Sequence, residues 1–202
     1  MRYVLLFIIS LFFFTSSYAQ ISIGPIVGLR QSYVHPVPNT YQFAIENLFK
    51  PNLAFGLKSD FHFSNDELKV TLQSVYSEKA ARGYISGFLQ LKTINYYSIN
   101  SSIFLNKSLF SDLYLGVGFN HSYIPYVRLN YVNDIYHLYE RKHDFGIIAS
   151  LNYNFKNFVL DFNYVYSVGT NSFHKDNIKQ QFEPITFMQL QIGYLFPLNI
   201  KK

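Results

Sequence analysis

The stretch MQLQIGYLF, residues 188–196, alternates with almost no exceptions. Met188, Leu190, Ile192, Tyr194 and Phe196 fall on one face of an extended chain, and Gln189, Gln191, Gly193 and Leu195 fall on the other. A strand with one greasy, aromatic-ended face and one face of glutamine and glycine separates two environments. Which face is turned outward decides the architecture.

The same period of two recurs from Gln20 onward. In residues 21–34, Ile21, Ile23, Val27 and Leu29 oppose Ser22, Gly24, Gly28 and Arg30. Residues 53–63, 67–77, 95–105, 112–124, 144–155 and 158–168 repeat the pattern. With the C-terminal stretch this predicts about eight strands of roughly 11–14 residues each, antiparallel by their short connections. Those connections alternate in length. Long ones are expected near 35–50, 78–88, 125–141 and 169–184, and short ones near 64–66, 106–111 and 156–157. Long and short in strict turn is the plan of an outer-membrane barrel, with short turns in the periplasm and long loops outside.

A soluble lipocalin-like barrel would show the same stripe turned inward. Three features favour the membrane. The polar face is rich in Gly, Ser and Asn, which suit a crowded interior, where a water-facing surface would carry more Lys and Glu. The apolar faces often end in Tyr or Phe, as an aromatic girdle does. The strands are long enough for a tilted crossing, which needs ~9–11 residues. The expected fold is therefore all-β: an eight-stranded, antiparallel, up-and-down transmembrane β-barrel over residues 20–202.

The remaining composition agrees. Aromatics make up 19% of the 202 residues and charged residues 14%, with no Trp and no Cys. An average soluble domain is roughly 25% charged. Residues 1–19 read as a secretory signal peptide: Arg2, an apolar run from Val4 to Phe14, then Ser17 and Ala19 as small residues before a cleavage site. Without cysteine there is no disulfide, thiolate metal site or cysteine nucleophile. The formal charge of +5 is scattered along the chain, so the expectation is contact with anionic lipid head groups and no nucleic-acid partner.

Residues 22–29 (SIGPIVGL), 113–124 (LYLGVGFNHSYI), 144–153 (DFGIIASLNY), 160–173 (LDFNYVYSVGTNSF) and 188–196 are similar, in order and spacing, to the small outer-membrane β-barrel proteins of Bacteroidota, the group that includes the PorT-like barrels. The resemblance implies a cell outer-membrane location. It also implies that the final aromatic strand, through Tyr194 and Phe196, is the assembly signal read by the barrel-assembly machinery. The tail PLNIKK after Phe196 departs from the family pattern.

Several residues invite chemistry. Arg30, Lys58, Asp60, His62, Lys69 and Asp161 all fall on the inward face. An eight-stranded interior is just wide enough for side chains to fill, so these charges are expected to pair, Lys58 or Lys69 with Asp161 or Asp60 and Arg30 higher up. The result is a polar network in the lumen; an ion or proton path is the sharper alternative. His121 and Ser122 evoke a nucleophile and base, but neighbours on a strand point to opposite faces. His35, His137, His143 and His174 sit in or beside long connections without ligand spacing on any one element. Arg141 and Lys142 are candidates for lipopolysaccharide phosphate. No catalytic residue, metal ligand or cofactor is assigned. The expectation is a non-enzymatic structural or accessory interaction protein that acts through long extracellular loops and is not an open porin. Its partners would be outer-membrane lipid and lipopolysaccharide, the assembly machinery and an envelope protein. The alternatives are a lipid-modifying enzyme, a narrow channel, or a soluble ligand carrier.

Overall fold

The computed structural model describes residues 20–34, 43–46, 51–63, 67–85, 91–131, 135–138, 142–168, 171–175, 178–182 and 185–198. The expected signal peptide, His35 and Arg141 lie outside these residues.

Eight long strands form the wall. They are β1 (Gln20–Val34), β2 (Asn52–His62), β3 (Leu68–Ile85), β4 (Leu91–Phe110), β5 (Leu113–Tyr131), β6 (Lys142–Phe155), β7 (Phe158–Ser167) and β8 (Ile185–Tyr194). Each pairs antiparallel with the next. β8 returns to β1, with Arg30 opposite Gln189 and Val27 opposite Ile192. The sheet is thus a closed eight-stranded antiparallel barrel, in which each of the eight strands is paired on both sides.

The faces are inverted relative to a soluble protein. Among the described residues, buried polar and charged side chains outnumber buried apolar ones by about two to one, while Phe119 is 70% exposed and Val117 63%. Such a surface is stable only in lipid, which rules out the soluble-barrel alternative. Phe110, Tyr153, Phe155, Phe158, Tyr194 and Phe196 gather near the turn end of the wall; Tyr33, Tyr76, Tyr97, Tyr123 and Tyr166 gather near the loop end. The lipid-facing belt lies between them. The chain is an outer-membrane β-barrel.

Three connections differ from expectation. β3, β4 and β5 run for 18, 20 and 19 residues, straight through much of the segments expected as loops near 78–88 and 125–141. The ladder continues regularly, with Glu78 opposite Tyr97 and Ala81 opposite Ile94. In these stretches the apolar alternation of the sequence fades while the backbone pairing persists. Pro125 does not end β5, because the register slips by one residue between the Ile99–Tyr123 and Tyr97–Tyr126 pairs, and such a bulge tolerates a proline. The turn expected over 106–111 shrinks to Ser111 and Asp112, since β4 holds to Phe110. Short strands Phe43–Glu46 and Ile135–Leu138 add to the edges of this raised wall on β3 and β5, and Asn171–Lys175 forms a hairpin with Ile178–Phe182.

At the closing seam the ladder between β1 and β8 is interrupted after Gly193 opposite Ile26, and resumes in the same register where Phe196 faces Ile23. Pro25 lies in the gap and has no N–H to donate. Gly24 beside it lets the Tyr194 carbonyl oxygen come within 1.8 Å of where a Cβ would stand. Any other residue would push the seam apart.

Candidate functional site

The lumen is filled in layers, and the lowest layer holds two lysines and two carboxylates. Lys58 and Asp60 are two apart on β2, so both point inward. Lys69 and Thr71 project from β3, and Asp161 comes from β7 on the far side of the barrel. All five are fully buried. Lys58 Nζ donates to both carboxylate oxygens of Asp161 at 2.8 Å and lies 3.7 Å from Asp60. Lys69 Nζ donates to Asp60 at 3.1 Å, to Asn152, and to Asn154 at 3.3 Å, and sits 4.2 Å from the centre of the Tyr114 ring. Thr71 Oγ1 donates to the other oxygen of Asp60 at 2.6 Å and accepts from Asn106 at 2.9 Å. Two lysines and two carboxylates therefore close into one neutral cluster, in which Lys69 and Asp60 also hold neutral hydrogen-bond partners. Such partners help a buried ion pair offset its desolvation.

His62 is half-buried and meets the Tyr114 ring edge-on at 6.4 Å, below the cluster. Arg30 stands apart, near the loop end. Nε and Nη2 donate to Gln189 at 3.2 and 2.7 Å, Nη1 donates to Ser77, and the guanidinium lies 3.7 Å from the centre of the Phe187 ring. Lys58, Asp60, Lys69 and Asp161 thus pair with one another, while Arg30 is held by neutral and aromatic groups. Sequence reasoning overlooked these partners. Gln189 faces Arg30 only because β8 closes on β1, and Phe187 points inward against its apolar character.

Between the layers, Gln73 and Asn163 both donate to the Gln191 side-chain oxygen, at 2.8 and 3.0 Å. Asn120 donates to Ser122 at 3.0 Å and Ser122 to Asn100 at 2.6 Å. Arg30, Gln73, Asn163 and Phe187 border a narrow crevice between these layers. Two apolar clusters, one of Ile26, Ala54, Val75, Val159 and Leu195 and one of Phe104, Ile148, Val165 and Phe187, complete the filling.

The other candidates separate. Ser122 is buried in the lumen, while His121 lies on the outer face, hydrogen-bonded to His143, so the two do not meet. Among the described residues no group of three or more His, Asp or Glu could hold a metal. Tyr194 accepts a hydrogen bond from Asn157 in the β6–β7 turn at 2.9 Å and packs edge-on against Phe158 and Phe196, at 5.1 and 4.9 Å between ring centres.

No family model matches the chain, and no curated protein does. Solved structures do. The chain resembles Ail, the attachment invasion locus protein of Yersinia pestis, crystallised with the heparin analogue sucrose octasulfate: 16% identity, TM-score 0.50, covering 89% of this chain and 99% of that one. It also resembles Neisserial surface protein A, with 11% identity, TM-score 0.51, and 88% and 99% covered. The outer membrane protease OmpT from Escherichia coli matches more distantly, with 11% identity, TM-score 0.37, and 88% and 96% covered. At such identities the likeness is one of fold alone.

Proposed function

We propose that this chain is an exported structural or accessory protein of the cell envelope, a relative of the PorT-like barrels of Bacteroidota, that binds an envelope partner through its extracellular face. Residues 1–19 serve as its signal peptide. Tyr194 and Phe196, clustered at the turn end, serve as its assembly signal. Lipid and lipopolysaccharide surround its apolar belt, and Arg141 and Lys142 are its candidates in sequence for lipopolysaccharide phosphate.

One observation carries this reading: a sealed lumen joined to a wall that is much too tall for crossing alone. A tilted crossing uses ~9–11 residues per strand, and β4 has 20. Among the described residues, the Lys58–Asp161 and Lys69–Asp60 bridges and the layers above them fill the lumen, which supports an anchor over an open pore. What extends beyond the belt is a raised sheet of β3, β4 and β5 flanked by Phe43–Glu46 and Ile135–Leu138. Among the described residues, His121 and Ser122, the pair that invited an enzymatic reading, face opposite sides.

In planar bilayers the wild-type protein is expected to give no stepwise conductance; a steady channel would replace this reading with the narrow-channel one. A photo-crosslinking residue at Ile135 or Ile178 is expected to trap one discrete protein adduct in intact outer membranes, while the same probe at lipid-facing Val117 does not. Absence of any adduct from the extracellular positions would refute the accessory role.

A further inference from the structure

On the outer surface, where the apolar belt ends toward the loops, β5 and β6 bring two histidines together. His121 pairs in register with Phe145, and Tyr123 with His143, so the histidines are diagonal neighbours across the ladder. His121 Nε2 lies 2.9 Å from His143 Nδ1, the ring centres are 5.1 Å apart, and the ring planes differ by 12°. The centres are only about 2.2 Å further apart than the nitrogens, so both nitrogens lie nearly on the line between them, with one N–H bridging the pair. Phe145 and Tyr123 flank the rings at 4.9 and 5.3 Å. His143 is exposed and His121 half-exposed.

We propose that His121 and His143 form a cross-strand chelate for a first-row divalent metal ion, with Cu²⁺ held most tightly. Two imidazole nitrogens bound at ~2.0–2.1 Å stand about 2.9 Å apart at cis positions of a square-planar ion and about 3.3 Å apart on tetrahedral zinc. The strand register already sets that bite. The lone pairs now face each other, and each ring has to swing by roughly 45° to converge on one ion; the open outer face leaves room for it. Imidazole suits Cu²⁺, Ni²⁺ and Zn²⁺, and stability rises toward Cu²⁺. With two protein ligands, the remaining positions open outward to water or a lipid phosphate oxygen. Such a site exchanges its ion readily and ties β5 to β6 while occupied.

The test uses the full mature chain, refolded and chelator-stripped, in nanodiscs of phosphatidylcholine, titrated with aqueous Cu²⁺ and read by electron paramagnetic resonance. The expected result is one equivalent of Cu²⁺ bound through two nitrogens. His121→Gln and His143→Gln should each weaken binding about tenfold or more and reduce the signal to one nitrogen, while His174→Gln leaves it unchanged. Both substitutions lie on the outer face, and retention of the heat-modifiable gel band verifies that each variant is folded. Binding that survives both substitutions, binding that depends on only one of the two histidines, or no binding below about 1 mM would each overturn the proposal.

Discussion

Replacing Asp161 by Asn is the sharpest probe of the lumen. The change keeps shape and removes one charge. Both Asp161 oxygens lie 2.8 Å from Lys58 Nζ, and neither residue touches solvent. At an effective dielectric of ~20, two charges at that separation attract by about 6 kcal/mol, and the Lys58–Asp60 pair at 3.7 Å by about 4.5 kcal/mol. The substitution removes the larger attraction, spares the smaller, and leaves the cluster one positive charge in excess. Breaking a buried pair costs about 3–5 kcal/mol. Because Asp60 still faces Lys58, the lower end, about 3 kcal/mol, is expected. The assay is guanidinium unfolding of the protein folded in lipid vesicles. Lys58→Met in the same chain restores neutrality, so the double variant should regain at least half of the loss. A single variant within about 0.5 kcal/mol of wild type, or a double variant whose loss equals the sum of its parts, would refute the coupling.

Other positions test the inverted surface and the tight wall. Phe119→Arg, in the lipid belt, should destabilise the folded barrel by about 2–4 kcal/mol in vesicle unfolding; a neutral result would mean that this face meets water. A Cβ on Gly118 would stand 2.1 Å from the Ile103 carbonyl oxygen and 2.5 Å from Phe104 Cα. Gly118→Ala should therefore cost about 1–3 kcal/mol, and more than Gly146→Ala, whose nearest neighbour is 2.8 Å away. Lys156 holds φ at 55° in the β6–β7 turn, so Lys156→Gly should raise the unfolding midpoint, by about 0.5–1 kcal/mol in stability. The unboiled protein from purified outer membranes should migrate faster in gel electrophoresis than the boiled one; no shift would count against a closed barrel.

What the sequence made legible divides along physical lines. Alternation in the belt is enforced by lipid on one side and polar packing on the other, so inward residues such as Lys58, Asp60 and Asp161 could be read directly. Alternation above the belt is not enforced, and the upper halves of β3, β4 and β5 therefore looked like loop. The charges could be assigned to the lumen but not fully matched. The Lys58–Asp161 bridge spans β2 and β7, and which strands confront each other across a barrel depends on its closure. The same holds for Arg30, whose partner Gln189 becomes a neighbour only at the seam. Ile26, Ile148, Val165 and Phe187 broke the rule by pointing inward, where they fill space that polar side chains leave. Neither histidine of the outer pair carries a local signal, because their meeting depends on the register of β5 against β6.

The seal has a consequence in time. Among the described lumen residues, Arg30, Lys58 and Lys69 belong to the first three strands together with one carboxylate, Asp60, while Asp144 belongs to the sixth and Asp161 to the seventh. A partly built barrel therefore carries surplus positive charge in a cleft that must stay wet, since unpaired charges resist leaving water. Drying of the interior and arrival of the late strands become a single step. The carboxylate of the seventh strand completes the neutral cluster.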